Sequence, residues 1–254
     1  MVLTDTHTHL YLDEFSDDLD KVVNRAFEKK VTRLFLPSIC HKHFKSMLNL
    51  KNKFPNNIFL MSGLHPCYVN ENYEFELDQV KMYIDENDIV AVGEIGIDLH
   101  WKKDNLDLQI NIFEKQIDIA NKHNLPVVIH CRESLTEILK VLKNKKVNCG
   151  GVFHCFTGTF EDAKQIIDLG FKLGIGGVVT FKNGKIDKFL NQIDIKNIVL
   201  ETDSPYLAPT PHRGKRNESS FTDLICKKIS EIYQLSYTEV AQITTQNSIE
   251  IFRI

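Results

Sequence analysis

Several things are missing from this 254-residue sequence, and each absence excludes a class. None of the 6 cysteines forms a Cys-x-x-Cys pair, so neither a zinc knuckle nor a thioredoxin-type redox motif is present. Reduced thiols in a cytosolic enzyme are the expectation. No apolar run approaches the roughly 18 residues needed to span a bilayer. The first residues also lack a basic stretch followed by an apolar segment, so a cytoplasmic protein without membrane contact is expected. Positive charge is not in excess either: the formal net charge is −3, which argues against a protein that coats nucleic acid by bulk charge. A polyanionic substrate would have to be attracted by bound metal and a local basic patch. There is no low-complexity linker and no abrupt change of composition, so residues 1–254 read as one domain. Nothing signals an obligate protein partner, and a monomer is the default.

What the sequence does contain is a repeat of short β-branched runs and longer segments with helical spacing. The runs fall at 2–4, 33–36, 58–61, 90–93, 127–129, 151–153, 171–175 and 198–200. The helical segments between them fall at 19–30, 41–54, 75–87, 106–123, 134–143, 161–169 and 186–192, with Ile110, Phe113, Ile117 and Ala120 as one example of the spacing. Two further helices follow, the last opened by the capping box Ser236-Tyr237-Thr238-Glu239. About eight β–α units predict an α/β fold, a closed (β/α)8 TIM barrel, over a doubly wound open sheet. The barrel is preferred because it turns all strand ends toward one mouth.

Ligand-type side chains sit at those strand ends. His7 and His9 follow the first run two residues apart, so both imidazoles point the same way from an extended strand. Glu94, His130, His154 and Asp203 each close another run. Imidazoles and carboxylates converging on one mouth predict a metal-hydrolase site. Were two metals present, Glu94 is the best-placed bridging carboxylate, and Asp203 suits a ligand that also accepts a proton from attacking water. Cys131 and Cys155, each next to a histidine, should turn away by strand alternation.

Other residues are read as substrate contacts. His65 leaves contact, ligation and a structural role open. Glu201, two residues before Asp203, reads as a residue behind the ligands or an alternative base, facing the same mouth. Arg132, two after His130, should face the mouth. The loop carrying Arg213, Lys215 and Arg216 concentrates cations able to grip phosphate. Trp101, the only tryptophan, could stack on a base or cap the rim.

With these residues in hand, the chain resembles the TatD-related deoxyribonucleases over essentially its whole length. The resemblance is carried by Asp5-Thr6-His7-Thr8-His9-Leu10, Gly63-Leu64-His65-Pro66, Gly93-Glu94-Ile95-Gly96-Ile97-Asp98 and His130-Cys131-Arg132. It continues through His154-Cys155-Phe156-Thr157-Gly158, Leu200-Glu201-Thr202-Asp203-Ser204-Pro205-Tyr206-Leu207 and Pro211-His212-Arg213-Gly214-Lys215-Arg216-Asn217. It implies that His7, His9, Glu94, His130, His154 and Asp203 are the metal ligands, with Glu94 bridging two divalent ions. Leu99-His100-Trp101 stands where the family usually has a tyrosine, so the rim contact to substrate should differ. Cys131 stands where serine is common.

The activity implied is 3′→5′ exonuclease cleavage of DNA ends or single strands, with Asp203 and Glu94 as the catalytic residues. Imidazole-rich ligation suits zinc, manganese, iron or nickel better than magnesium, although the family is usually described as magnesium-dependent. Two rivals stand beside this reading. One is a metal-dependent deacylase acting on D-aminoacyl-tRNA; the other is a non-catalytic nucleic-acid-binding module.

Overall fold

The computed structural model describes residues 2–254. Eight strands follow one another around a single sheet, each parallel to the next. They are β1 (Leu3–Asp5), β2 (Val31–Leu36), β3 (Ile58–Ser62), β4 (Ile89–Asp98), β5 (Val127–Arg132), β6 (Gly151–Phe153), β7 (Phe171–Ile175) and β8 (Ile198–Leu200). Helices α1 (Leu19–Glu28), α2 (His41–Lys53), α3 (Tyr73–Glu86), α4 (Leu106–His123), α5 (Leu135–Asn144) and α6 (Phe160–Asp168) link the first seven strands. After β8 come α7 (Thr222–Tyr233) and α8 (Tyr237–Phe252). Parallel neighbours need such crossovers, and the resulting nearly closed barrel is the predicted TIM architecture.

Two elements depart most from the sequence expectation. The segment 186–192 is not an α-helix but two 3-10 turns, Ile186–Lys188 and Leu190–Gln192. Seven residues make fewer than two α-turns, too few to repay nucleation. Strand β4 runs five residues beyond its expected end at Gly93, with a register shift between Gly93 and Ile95. Gly96 permits this: its φ is 140°, and a Cβ there would stand 2.1 Å from the His130 carbonyl oxygen. Capping boxes open α6 (Thr159 with Asp162) and α8 (Ser236 with Glu239).

The interior is filled from six of the eight strands by Phe35, Met61, Val90, Ala91, Val128, Val152 and Val199, with Phe252 of α8 against Phe35. A larger apolar layer separates the sheet from the helices. Strand alternation then fixes the next layer upward. His130 stands two residues above Val128, His154 two above Val152, and Glu201 two above Val199, so the floor of the mouth is built by the register that packs the core.

β8 meets β1 at a seam made partly by side chains. Thr6 N–H donates to Leu200 O at 3.0 Å, and Thr8 bridges Ser204. The buried Asp5 carboxyl accepts from Thr202 N–H at 2.8 Å and Thr202 Oγ1–H at 2.7 Å. Burial, partly offset by bonds from Ser219 and Thr202, raises its pKa to about 7.

Candidate metal centre

The seam delivers His7, His9 and Asp203 to one wall of the mouth, and β4, β5 and β6 deliver Glu94, His130 and His154 to the other. Glu94 lies between them, and its two oxygens face different partners. Oε2 is 3.3 Å from His7 Nε2 and 3.7 Å from His9 Nε2. Oε1 is 2.7 Å from His154 Nε2, 2.8 Å from His130 Nδ1 and 3.4 Å from His65 Nε2. Asp203 Oδ1 stands 3.4 Å from His9 Nε2 and 3.7 Å from His7 Nε2. Three sets of donor atoms lie within 4.8 Å of one another: His7 with His9 and Glu94; His7 with His154 and Asp203; His65 with Glu94 and His130.

Hydrogen bonds behind the candidate ligands determine which ring nitrogens are available. Tyr11 Oη–H donates to Pro37 O at 2.7 Å, so its oxygen must accept from His9 Nδ1–H at 2.8 Å. The His9 Nε2 lone pair therefore faces the carboxylates. His130 Nε2–H donates to Asp98 Oδ2 at 2.9 Å, leaving Nδ1 to face Glu94. Lone pairs opposed to carboxylate oxygens are repulsive unless a cation or a proton sits between them. A divalent ion answers that requirement, and the oriented imidazoles with a carboxylate behind are the usual support for one.

The electrostatics show where a proton competes with an ion for that place. Burial opposes the charge on Glu94, yet His154, His65 and His7 outweigh it and hold its carboxyl well below the usual range. Burial works against a charged His130 as well, but Asp98 and Glu94 prevail and raise its pKa to about 9. Burial and the stacked ring of His154, 4.0 Å away, lower His7 to about 4, leaving it neutral and able to ligate.

His65 is settled by its neighbour. Cys67 N–H donates to His65 Nδ1 at 3.0 Å, so the neutral ring carries its proton on Nε2. It presents a donor to the mouth in place of a ligand lone pair.

Glu201, expected at the mouth, is fully buried behind His154 and does not line the cavity. Its Oε1 accepts from Cys155 N–H and lies 3.8 Å from His154 Nδ1, while its Oε2 and His154 Nδ1 have no partner. Gly174 makes the space, since a Cβ there would come within 2.1 Å of Oε2. Burial, then the charge of Asp203, pushes the Glu201 carboxyl well above the ordinary range.

The cavity above these residues measures about 540 Å³. Tyr68, Trp101, Tyr206 and Leu207 form an exposed rim, and Arg132 is the one lysine or arginine lining the cavity among the described residues, its guanidinium 5.5 Å from the Trp101 ring centroid. The cationic loop is placed differently from its expectation: Arg213, Lys215 and Arg216 do not line the cavity. Arg216 is committed to Asp18 at 2.8 Å and to Glu14 O, and Arg213 lies on the Phe181 ring. Cys131 and Cys155 line a separate space of about 360 Å³, away from the mouth as expected.

Three contributors escaped the sequence reading: Asp5, Tyr11 and Asp98. The signal for all three was there. Asp5, His7, His9 and Tyr11 are spaced by two, as are Glu94, Gly96 and Asp98.

A family model described as TatD related DNase matches residues 4–253. The chain is 35% identical over 255 residues to the Bacillus subtilis protein YabD, described as an uncharacterized metal-dependent hydrolase, with both chains covered in full. It is 32% identical over 259 residues to Escherichia coli YcfH, described in the same words, covering all of this chain and 97% of that one. Among solved structures, Escherichia coli YjjV, a TatD homologue, superposes with a TM-score of 0.94 at 26% identity, covering 99% of this chain and 98% of that one. A TatD-family hydrolase from Entamoeba histolytica superposes at 0.89, also at 26% identity, with the same coverage.

Proposed function

Because the chain belongs to the family of TatD-related DNases, whose curated relatives are metal-dependent hydrolases, we propose that it is a two-metal deoxyribonuclease removing nucleotides 3′→5′ from DNA ends or single strands. The observation that carries the proposal is the division of Glu94, one oxygen toward His7 and His9 and the other toward His130 and His154. A single carboxylate between two imidazole pairs is suited to bridging two divalent ions, with Asp203 within reach of the first pair. When bound, such ions supply Lewis acidity and bring the pKa of a water toward neutrality.

The chain's own groups complete the chemistry. Burial opposes the Asp203 charge, but the neighbouring imidazoles of His9, His154 and His7 keep its carboxyl below the usual range and ionised. Its side chain is 14% exposed, so the water it serves can come from the cavity. His65 Nε2–H and the Arg132 guanidinium offer donors to the phosphoryl oxygens, where negative charge grows during attack. Tyr68, Trp101 and Tyr206 give the rim stacking surfaces for bases of an unpaired strand.

The test is to follow labelled single-stranded DNA and D-aminoacyl-tRNA under identical manganese or magnesium conditions, with metal content measured on the same samples. Wild type is expected to shorten the DNA stepwise and to carry bound metal. Glu94→Ala should retain its circular dichroism but lose metal and about 100-fold or more in rate, beyond the loss typical of an outer-shell partner. Consumption of the tRNA ester with intact DNA would replace the nuclease by the deacylase.

A further inference from the structure

We propose that the loops after β7 and β8 form one cationic track for the phosphate backbone of a single-stranded nucleic acid leaving the cavity. This rests on the phosphodiesterase reading and extends it to the path of the strand. The two loops are joined. Thr210 N–H donates to Thr180 Oγ1 at 2.8 Å, and Thr210 Oγ1–H donates to Thr180 O at 3.1 Å. The Arg213 guanidinium lies 3.5 Å from the Phe181 ring centroid. Stacking holds the plane of that guanidinium while leaving its edge free to meet phosphate.

Tight turns present the rest. Gly184 N–H donates to Phe181 O at 2.9 Å, and Lys215 N–H to His212 O at 3.0 Å. Lys182, Lys185, Arg213 and Lys215 are all exposed. Among the described residues none of these four pairs with a carboxylate, whereas Arg25, Lys53, Lys145 and Arg216 do. Four uncommitted cations are thus gathered on two linked loops in a chain of net charge −3. Such a patch draws a polyanion to one place on an otherwise unfavourable surface.

The track starts where the rim ends. Tyr206 and Leu207 line the cavity, and Gly177 of the β7 loop packs so closely under Leu207 that a Cβ would meet its carbonyl oxygen at 2.2 Å. A strand with its end at Asp203 can therefore stack on Tyr206 and continue onto the track. The cavity itself offers only Arg132, so most of the affinity for a longer strand is assigned to the loops.

The test is fluorescence anisotropy with a phosphorothioate-linked 20-nucleotide single strand, which keeps its charges but resists cleavage, bound to manganese-loaded protein at several salt concentrations. Each phosphate contact contributes a slope of about 0.7 in log Kd against log salt. K182E/K185E and R213E/K215E should each weaken binding at least tenfold at low salt and flatten the slope by about 1.4. K140E/K143E, with the same change of net charge on α5, should stay within about twofold of wild type, and thermal melts verify that each variant is folded. Wild-type-like binding and slope in both loop variants would overturn the track while leaving the nuclease reading intact. A wild type that hydrolyses bis(p-nitrophenyl) phosphate but binds no oligonucleotide would also overturn the track alone. No binding and no diester hydrolysis would remove the nuclease reading together with it.

Discussion

Glu201 does not line the cavity, yet it stands directly behind His154, one of the candidate ligands. Its 3.8 Å separation from His154 Nδ1 is one small adjustment from a hydrogen bond that would fix the ring with Nε2 toward the cavity. Glu201→Gln should weaken metal binding about tenfold and Glu201→Ala toward 100-fold, read by chelator competition, with much of the activity restored at saturating metal. An unchanged metal affinity would show that Glu201 only fills space beside Gly174. At this scale the sequence was legible for the polar side chains that face the mouth, because His7, His9, Glu94, His130, His154 and Asp203 combine ligand chemistry with strand-end position. It was less legible for groups acting through others. Asp98 and Tyr11 are ordinary strand and turn residues until their bonds to His130 and His9 are seen. Lys182 and Lys185 carry no pattern of their own, and only the Thr180–Thr210 contact brings them beside Arg213.

The elements were legible where periodicity was long and obscure where backbone constraints dominated. Six interstrand helices follow from apolar spacing, but the last such segment was too short to form one. The end of β4 lay beyond its apolar run, where Gly93 and Gly96 let the strand pass close to β5. Gly96→Ala should therefore cost about 3 kcal/mol or more, since both φ and the His130 carbonyl resist a methyl group. The melting temperature should fall by roughly 6–12 °C. A second element-scale tie joins α1 to the segment entering α7: Arg25 Nε–H donates to Glu218 Oε1 at 2.9 Å. Burial opposes ionisation of Glu218, but Arg25 and Ser220 lower its pKa below 4.5. A depressed carboxyl stabilises the fold above its unfolded pKa, and that contribution is lost as pH falls through the folded value. Glu218→Gln should cost about 2 kcal/mol at pH 7, and the gap in melting temperature from wild type should close as pH drops below about 4.5. A gap independent of pH would assign the effect to packing.

For the molecule as a whole, the facing lone pairs and carboxylates make ion binding a contribution to folding. A ligand bound only by the native state at 100 times its Kd stabilises by about 2.7 kcal/mol. Melting temperature should thus rise by roughly 5–10 °C when manganese or zinc is restored to chelated protein, and Glu94→Ala should lose most of that rise. Equal melts with and without metal in wild type would mean that no ion is held. The seam adds a matter of timing. Thr6 and Leu200, joined there, are 194 residues apart, and Asp203 lies just beyond. A polypeptide emerging from the ribosome displays its first imidazoles long before it possesses the opposite wall. The candidate ligand set is complete only after the final strand, and a prematurely terminated translation product carries most of those side chains with no chamber to hold them.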